Sequence, residues 1–174
     1  GNHFDTEDCF LDYRAEIVEP EKIDRCQLLE KCPIAWSEIQ KSYQKAIASH
    51  QKLALAYKAP QPIEVEKIWQ QLVGIAKYLS RTGKGVSKNQ LKEKLFLSDR
   101  TLELGLKTLA RSGFTCHYQN ESWYFHHSSH ISSEADLARS FFWEAIKEEQ
   151  FQRQYFSQVS LSTLQEQIRS NPIE

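Results

Sequence analysis

The side chains that could do chemistry are few and scattered. Metal-ligand types gather only around Cys116, His117, His126, His127 and His130. A structural zinc needs four ligands, usually supplied by two elements at CxxC- or HxxxH-like spacing, and this run shows neither, so no metal is expected. Cys26 and Cys32 are not spaced as CxxC either, and a buried apolar cysteine is their ordinary reading. Nucleophilic catalysis would require a Ser or Cys with a base and an oxyanion hole, and no GxSxG elbow is present. Gly83-Lys84-Gly85 is too short to cradle a phosphate as GxxxxGK[ST] does, and reads as a flexible interhelical turn. Glu148 and Glu149 read as a solvated helix face. Asp12, Asp99 and Asp136 lie too far apart in sequence to mark a two-metal centre. No catalytic residue is expected.

Cations give a better-organised pattern. Residues 1–61 carry 8 basic and 10 acidic groups, residues 62–115 carry 10 and 5, and residues 116–174 carry 4 and 8. The formal net charge of −1 therefore hides a basic middle between acidic flanks. Within that middle, Lys77, Arg81 and Lys84 crowd the end of one helical stripe. Lys88 and Lys92 lie four apart on a second helix, and Arg100, Lys107 and Arg111 share the side of a third opposite its leucines. Cations so placed meet phosphates when a helix-turn-helix enters a groove. Glu103 shares that face, and the tip Gln119-Asn120-Glu121 carries no positive charge.

These residues need a scaffold, and the composition can supply one. The 174 residues are 40% hydrophobic, with 20 aromatics, which is enough for one ordinary domain or two small ones and argues against disorder. No apolar run is long enough for a bilayer, no secretory signal opens the chain, and no membrane partner is expected. Four scattered cysteines point to a reducing cytoplasm rather than a disulfide framework. Gly1 and the absence of Met suggest an excised fragment.

The expected fold is α+β and helix-rich: a small βαβ-type unit, a winged helix-turn-helix and a C-terminal helical tail. In residues 1–61, strands at Phe10–Arg14, Cys26–Leu29 and Leu53–Tyr57 flank a helix with Trp36, Ile39, Tyr43, Ala46 and Ile47 on one face. In residues 62–130, Val65, Ile68, Leu72, Ile75, Ala76 and Leu79 stripe a first helix. Ser87-Lys88-Asn89-Gln90 opens a second as a capping box, and Ser98 or Asp99 opens a third with Leu102, Leu106 and Leu109. Gly113 stands where a left-handed cap would end that helix. Phe114, Cys116 and Tyr118 then alternate, turn at 119–121, and return through Trp123 and Phe125 as a hairpin. Residues 131–174 read as helices packing back on the winged helix, with Phe141, Phe142 and Ile146 buried against it or against the α/β unit, and the last helix capped by Ser162-Thr163-Leu164-Gln165.

The segments FLDYR (10–14), CPIAWSE (32–38), LALAYKAP (53–60), GIAKYLSRTG (74–83) and LSDRTLELGLKTLARSGF (97–114) resemble the C-terminal region of cyanobacterial RecJ-type single-stranded-DNA-specific exonucleases. The resemblance implies a parent enzyme that degrades single-stranded DNA 5′ to 3′ with Mn²⁺ or Mg²⁺ held by DHH-type motifs. Those motifs do not occur in residues 1–174, so no catalytic residue and no cofactor transfer to this segment. The resemblance implies contacts with DNA and with partner proteins, for instance the acidic tail of a single-strand-binding protein. Two readings thus compete: a monomeric accessory module binding single-stranded or non-specific DNA, and a stand-alone winged-helix regulator dimerised by its aromatic tail. A protein-docking module that does not bind DNA is the third outcome. The chain alone is expected to release no nucleotides from labelled single-stranded DNA, with or without Mn²⁺. Metal-dependent release that survives repurification would overturn this.

Overall fold

A computed structural model describes residues 9–16 and 25–170. The chain divides into two compact units, Gly1–Gln61 with Gln150–Glu174, and Pro62–Glu149. Six helices and five strands make up an α+β architecture among the described residues.

In the first unit, β1 (Phe10–Asp12), β2 (Cys26–Leu29) and β3 (Lys52–Leu55) form a parallel sheet in the order β1-β3-β2. Parallel neighbours need a crossover, and α1 (Trp36–Ala48) supplies it between β2 and β3. Its buried face is Ile39, Tyr43 and Ala46, and Tyr43 stacks on Phe10 with ring centroids 5.4 Å apart. Leu53, Ala54 and Leu55 are fully buried, as expected for a strand paired on both edges. The C-terminal end of α5 (Ala135–Gln158) and α6 (Leu161–Ser170) complete this core with Phe156, Leu164 and Ile168. The last carbonyls of a helix lack an intrahelical donor. Here the Phe156 carbonyl accepts from the Tyr57 hydroxyl and the Arg14 guanidinium, each at 2.8 Å. Arg14 in turn forks onto Asp12 through two bonds of 2.9 Å, which hold that carboxyl below the usual carboxylate range.

In the second unit, α2 (Val65–Thr82) buries Ile68, Leu72, Ala76 and Leu79 and ends at Gly83 in the left-handed region, φ 71°. α3 (Lys88–Leu95) opens on the expected capping box, with the Gln90 N–H donating to Ser87 Oγ at 3.1 Å and the Ser87 N–H to Gln90 Oε1 at 3.0 Å. α4 (Asp99–Arg111) is capped by Ser98 and buries Leu102, Leu106 and Leu109. A two-stranded antiparallel sheet follows, β4 (Ser112–Gln119) and β5 (Ser122–Ile131), joined through Asn120 and Glu121, both at positive φ (52° and 63°). That mirror-image turn matches the twist of its strands. Leu72, Leu91, Leu95, Leu102, Leu109, Phe125 and Phe142 fill the interior.

The Gly83–Gly85 stretch is a packed junction rather than a flexible turn. Val86 and Trp123 exchange main-chain hydrogen bonds of 3.0 and 2.7 Å, so the connection between α2 and α3 adds a short extended segment to the hairpin edge. A Cβ on Gly85 would lie 2.8 Å from the Tyr124 ring and 2.9 Å from Ser122 Cβ, closer than either neighbour could accept.

Gly113 follows the C-cap Ser112 of α4 at a positive φ of 100°, the backbone sense that favours glycine past a helix end, and it lies in β4 where the register shifts as a bulge. Three local expectations are corrected. The cap of α6 is Ser160, whose hydroxyl accepts from the Thr163 N–H at 3.2 Å, two residues before the Ser162 box. The tail does not pack wholly on the second unit: α5 gives Phe142 and Ile146 to that interior and Phe156 to the other. Phe141, expected to be buried with Phe142, is 55% exposed, because adjacent helical positions point 100° apart. The ends of the outer segments, 1–8 and 171–174, lie outside the described residues.

Phe142→Ala should therefore cost about 3–5 kcal/mol in urea unfolding. Phe141→Ala should stay within about 0.5 kcal/mol. Equal losses at the two positions would contradict this packing.

Candidate nucleic-acid interface

The outer face of α4 is set by helical geometry. Burying Leu102, Leu106 and Leu109 turns Arg100, Glu103, Lys107 and Arg111 to the other side, and Arg100, Glu103 and Lys107 are exposed. α3 places Lys88 and Lys92 toward the start of α4. There Lys92 Nζ lies 2.8 Å and Lys88 Nζ 3.5 Å from Asp99 Oδ1, and Lys88 also lies 3.9 Å from Glu103 Oε1. The hydrogen bond from Lys92, with the charges of both lysines, holds the Asp99 carboxyl below the usual range. Arg111 Nε faces Glu134 Oε2 at 3.6 Å.

The eight expected cations thus separate into two groups. Lys88, Lys92 and Arg111 are partly neutralised by carboxylates of α4 and of the segment before α5. Lys77, Arg81, Lys84, Arg100 and Lys107 are exposed and form no ion pair with a described residue. The first three follow one another along the end of α2 and the turn after it. Lys107 and Arg111 line one groove with Glu134, Leu104, Leu137 and Phe141. That groove puts an exposed aromatic beside cations, where the sequence pattern showed none on this face.

One carboxylate fixes where α4 begins. Glu149 is only 6% exposed and accepts from the Ser98 N–H at 3.3 Å and from the Ser98 hydroxyl. The expectation that Glu149 is a solvated surface residue is therefore corrected. A signal was present: Phe142, Ile146, Glu149 and Arg153 continue one stripe at spacings of four, three and four, and all four are buried.

Burial pushes the Cys32 and Cys116 thiols up to about 11, so both are protonated near neutral pH. His117 stacks on His126 and on Tyr124 at centroid distances of 5.3 and 5.4 Å across the hairpin. Among the described residues no group of three or more His, Cys, Asp or Glu could hold a metal ion. No helix among them is long and apolar enough to cross a membrane. Comparison with protein-family models, curated proteins and solved structures finds no match to this chain.

Glu149→Ala should lower the stability of the chain by about 2–3 kcal/mol, since a charged hydrogen-bond partner is lost and two donors are stranded. Glu148→Ala, exposed next to it, should change stability by less than about 0.5 kcal/mol. Chemical denaturation of the two variants checks the pair, and equal effects would refute the capping role.

Proposed function

We propose that Pro62–Glu149 is a winged helix-turn-helix that holds nucleic acid through its phosphates. In this reading the chain is the non-catalytic DNA-binding and partner-docking region of a RecJ-type single-stranded-DNA-specific exonuclease, acting in DNA repair and recombination. The observation that carries the reading is the open outer face of α4, which follows α3 after a tight turn and presents Arg100 and Lys107 without internal partners. Support for the wing comes from the β4–β5 hairpin and its pairing with Val86.

The same electrostatics set the strength. Asp99 and Glu103 offset Lys88 and Lys92, so few cations remain to displace counterions, and the binding is weak and indifferent to sequence, with Kd at about 10⁻⁴–10⁻⁶ M near physiological salt. A second reading has its own observation. Leu137 and Phe141 are 58% and 55% exposed on α5, and apolar side chains left together at a surface favour protein docking on this unit.

Fluorescence anisotropy with a labelled oligonucleotide at low salt separates the two. Arg100→Glu with Lys107→Glu should weaken binding at least about tenfold and flatten its salt dependence. Asp99→Asn with Glu103→Gln should tighten it by releasing Lys88 and Lys92. Lys41→Glu with Lys45→Glu, on the first unit, should change nothing. No binding by the unmodified chain at low salt would end the DNA reading and leave protein docking standing.

A further inference from the structure

A second feature of Pro62–Glu149 lies between α2 and α3. A groove of about 530 Å³ runs there, with Ile75, Leu79, Val86 and Leu91 as its apolar floor. Tyr78 lines it and is 50% exposed. Gln71 and Gln90 bring side-chain amides to the groove, and Lys94 is the one charged residue of its lining. No carboxylate lines it.

Gly74 is the unexplained residue. It lies in the middle of an 18-residue helix, where glycine costs roughly 0.5–1 kcal/mol against alanine. Glycine inside a helix is normally accounted for by a close neighbour or a kink. A Cβ on Gly74 would meet nothing within 4 Å, so no packing inside the protein requires its absence. What the missing side chain leaves is a low wall, over which a flat group could reach the backbone of α2 beside Tyr78.

We infer that this groove seats an unpaired base of a single-stranded nucleic acid, stacked on Tyr78 and lying over Gly74. This rests on the nucleic-acid reading of the unit and adds a base-stacking subsite to it, apart from the α4 face. The chemistry of the lining fits a base: an aromatic ring for its face, the Gln71 amide and the amide nitrogen of Gln90, whose oxygen is held by the Ser87 N–H, for its edge, and apolar side chains beneath. The charge fits the strand, since Lys94 lines the groove with no carboxylate beside it, and Lys77, Arg81 and Lys84 are exposed along the end of α2 and the turn after it. A paired base is already stacked and cannot enter, so the groove distinguishes single strands from duplex while the α4 face does not.

The test compares the full chain with its variants on two labelled probes, a single strand of about 16 nucleotides and a hairpin-closed duplex. Tyr78→Ala should weaken single-strand binding about 5- to 150-fold, the range that base stacking supplies, and leave duplex binding within about twofold. Tyr78→Phe should keep single-strand binding, because the ring and not the hydroxyl does the stacking. Gly74→Ala separates folding from binding: its thermal unfolding should move upward while single-strand affinity falls. Tyr78→Ala that weakens both probes equally, or neither, overturns the inference. So does a groove that takes an acidic peptide in a Tyr78-dependent way while oligonucleotide binding is untouched. In those cases loss of duplex binding in the Arg100→Glu, Lys107→Glu variant still supports the α4 face. A chain that binds neither probe at low salt overturns both.

Discussion

A carboxylate can be buried only where donors meet it, and the contact between Glu149 and Ser98 is the point on which the second unit turns. Removing a carboxylate from water without hydrogen bonds is far more costly than a few kcal/mol, so Glu149 specifies one seating of α5 against the start of α4. The start of α4 in turn decides which residues face outward. A rotation of α4 by one position would carry Leu102 and Leu106 toward solvent and Arg100 toward the interior. The cap, the leucine core and the exposed cations are therefore one constraint seen from three sides.

The hairpin is held by the same economy of polar groups. Its outer strand edge would leave main-chain donors and acceptors open, and Val86 closes part of it with two short bonds to Trp123. That pairing demands a close approach at Gly85, where the hairpin side chains leave no room for a Cβ. The junction between α2 and α3 is thereby tied to the hairpin at Gly85 and Val86. In the first unit the Phe156 carbonyl plays a comparable part, joining Arg14 and Tyr57 at the end of α5.

Charge on the second unit is patterned rather than merely abundant. Its twelve lysines and arginines are nearly matched by eleven carboxylates, and Asp99 sits within ion-pair distance of both Lys88 and Lys92. Exposed pairs of this kind add little to stability. Their larger effect is on the outside, where they reduce the positive potential of α3 and leave Arg100 and Lys107 as the open cations of α4.

Periodicity alone determined the elements. The three- and four-residue spacing of leucines places α2, α3 and α4, the alternation of Phe114, Cys116, Trp123 and Phe125 gives the hairpin, and the Ser87 box marks the start of α3. These are local signals, because a helix turn and a strand pleat each repeat within a few residues. Tertiary structure decided what local pattern cannot encode: which of Phe141 and Phe142 is covered, that Glu149 holds the N-cap serine of a helix some fifty residues earlier in the chain, and that Lys92 spends its charge on Asp99. Each of these depends on a neighbour distant in sequence or on another element. Burial and ion pairing are properties of what lies across the gap, and a single helix face does not contain that information.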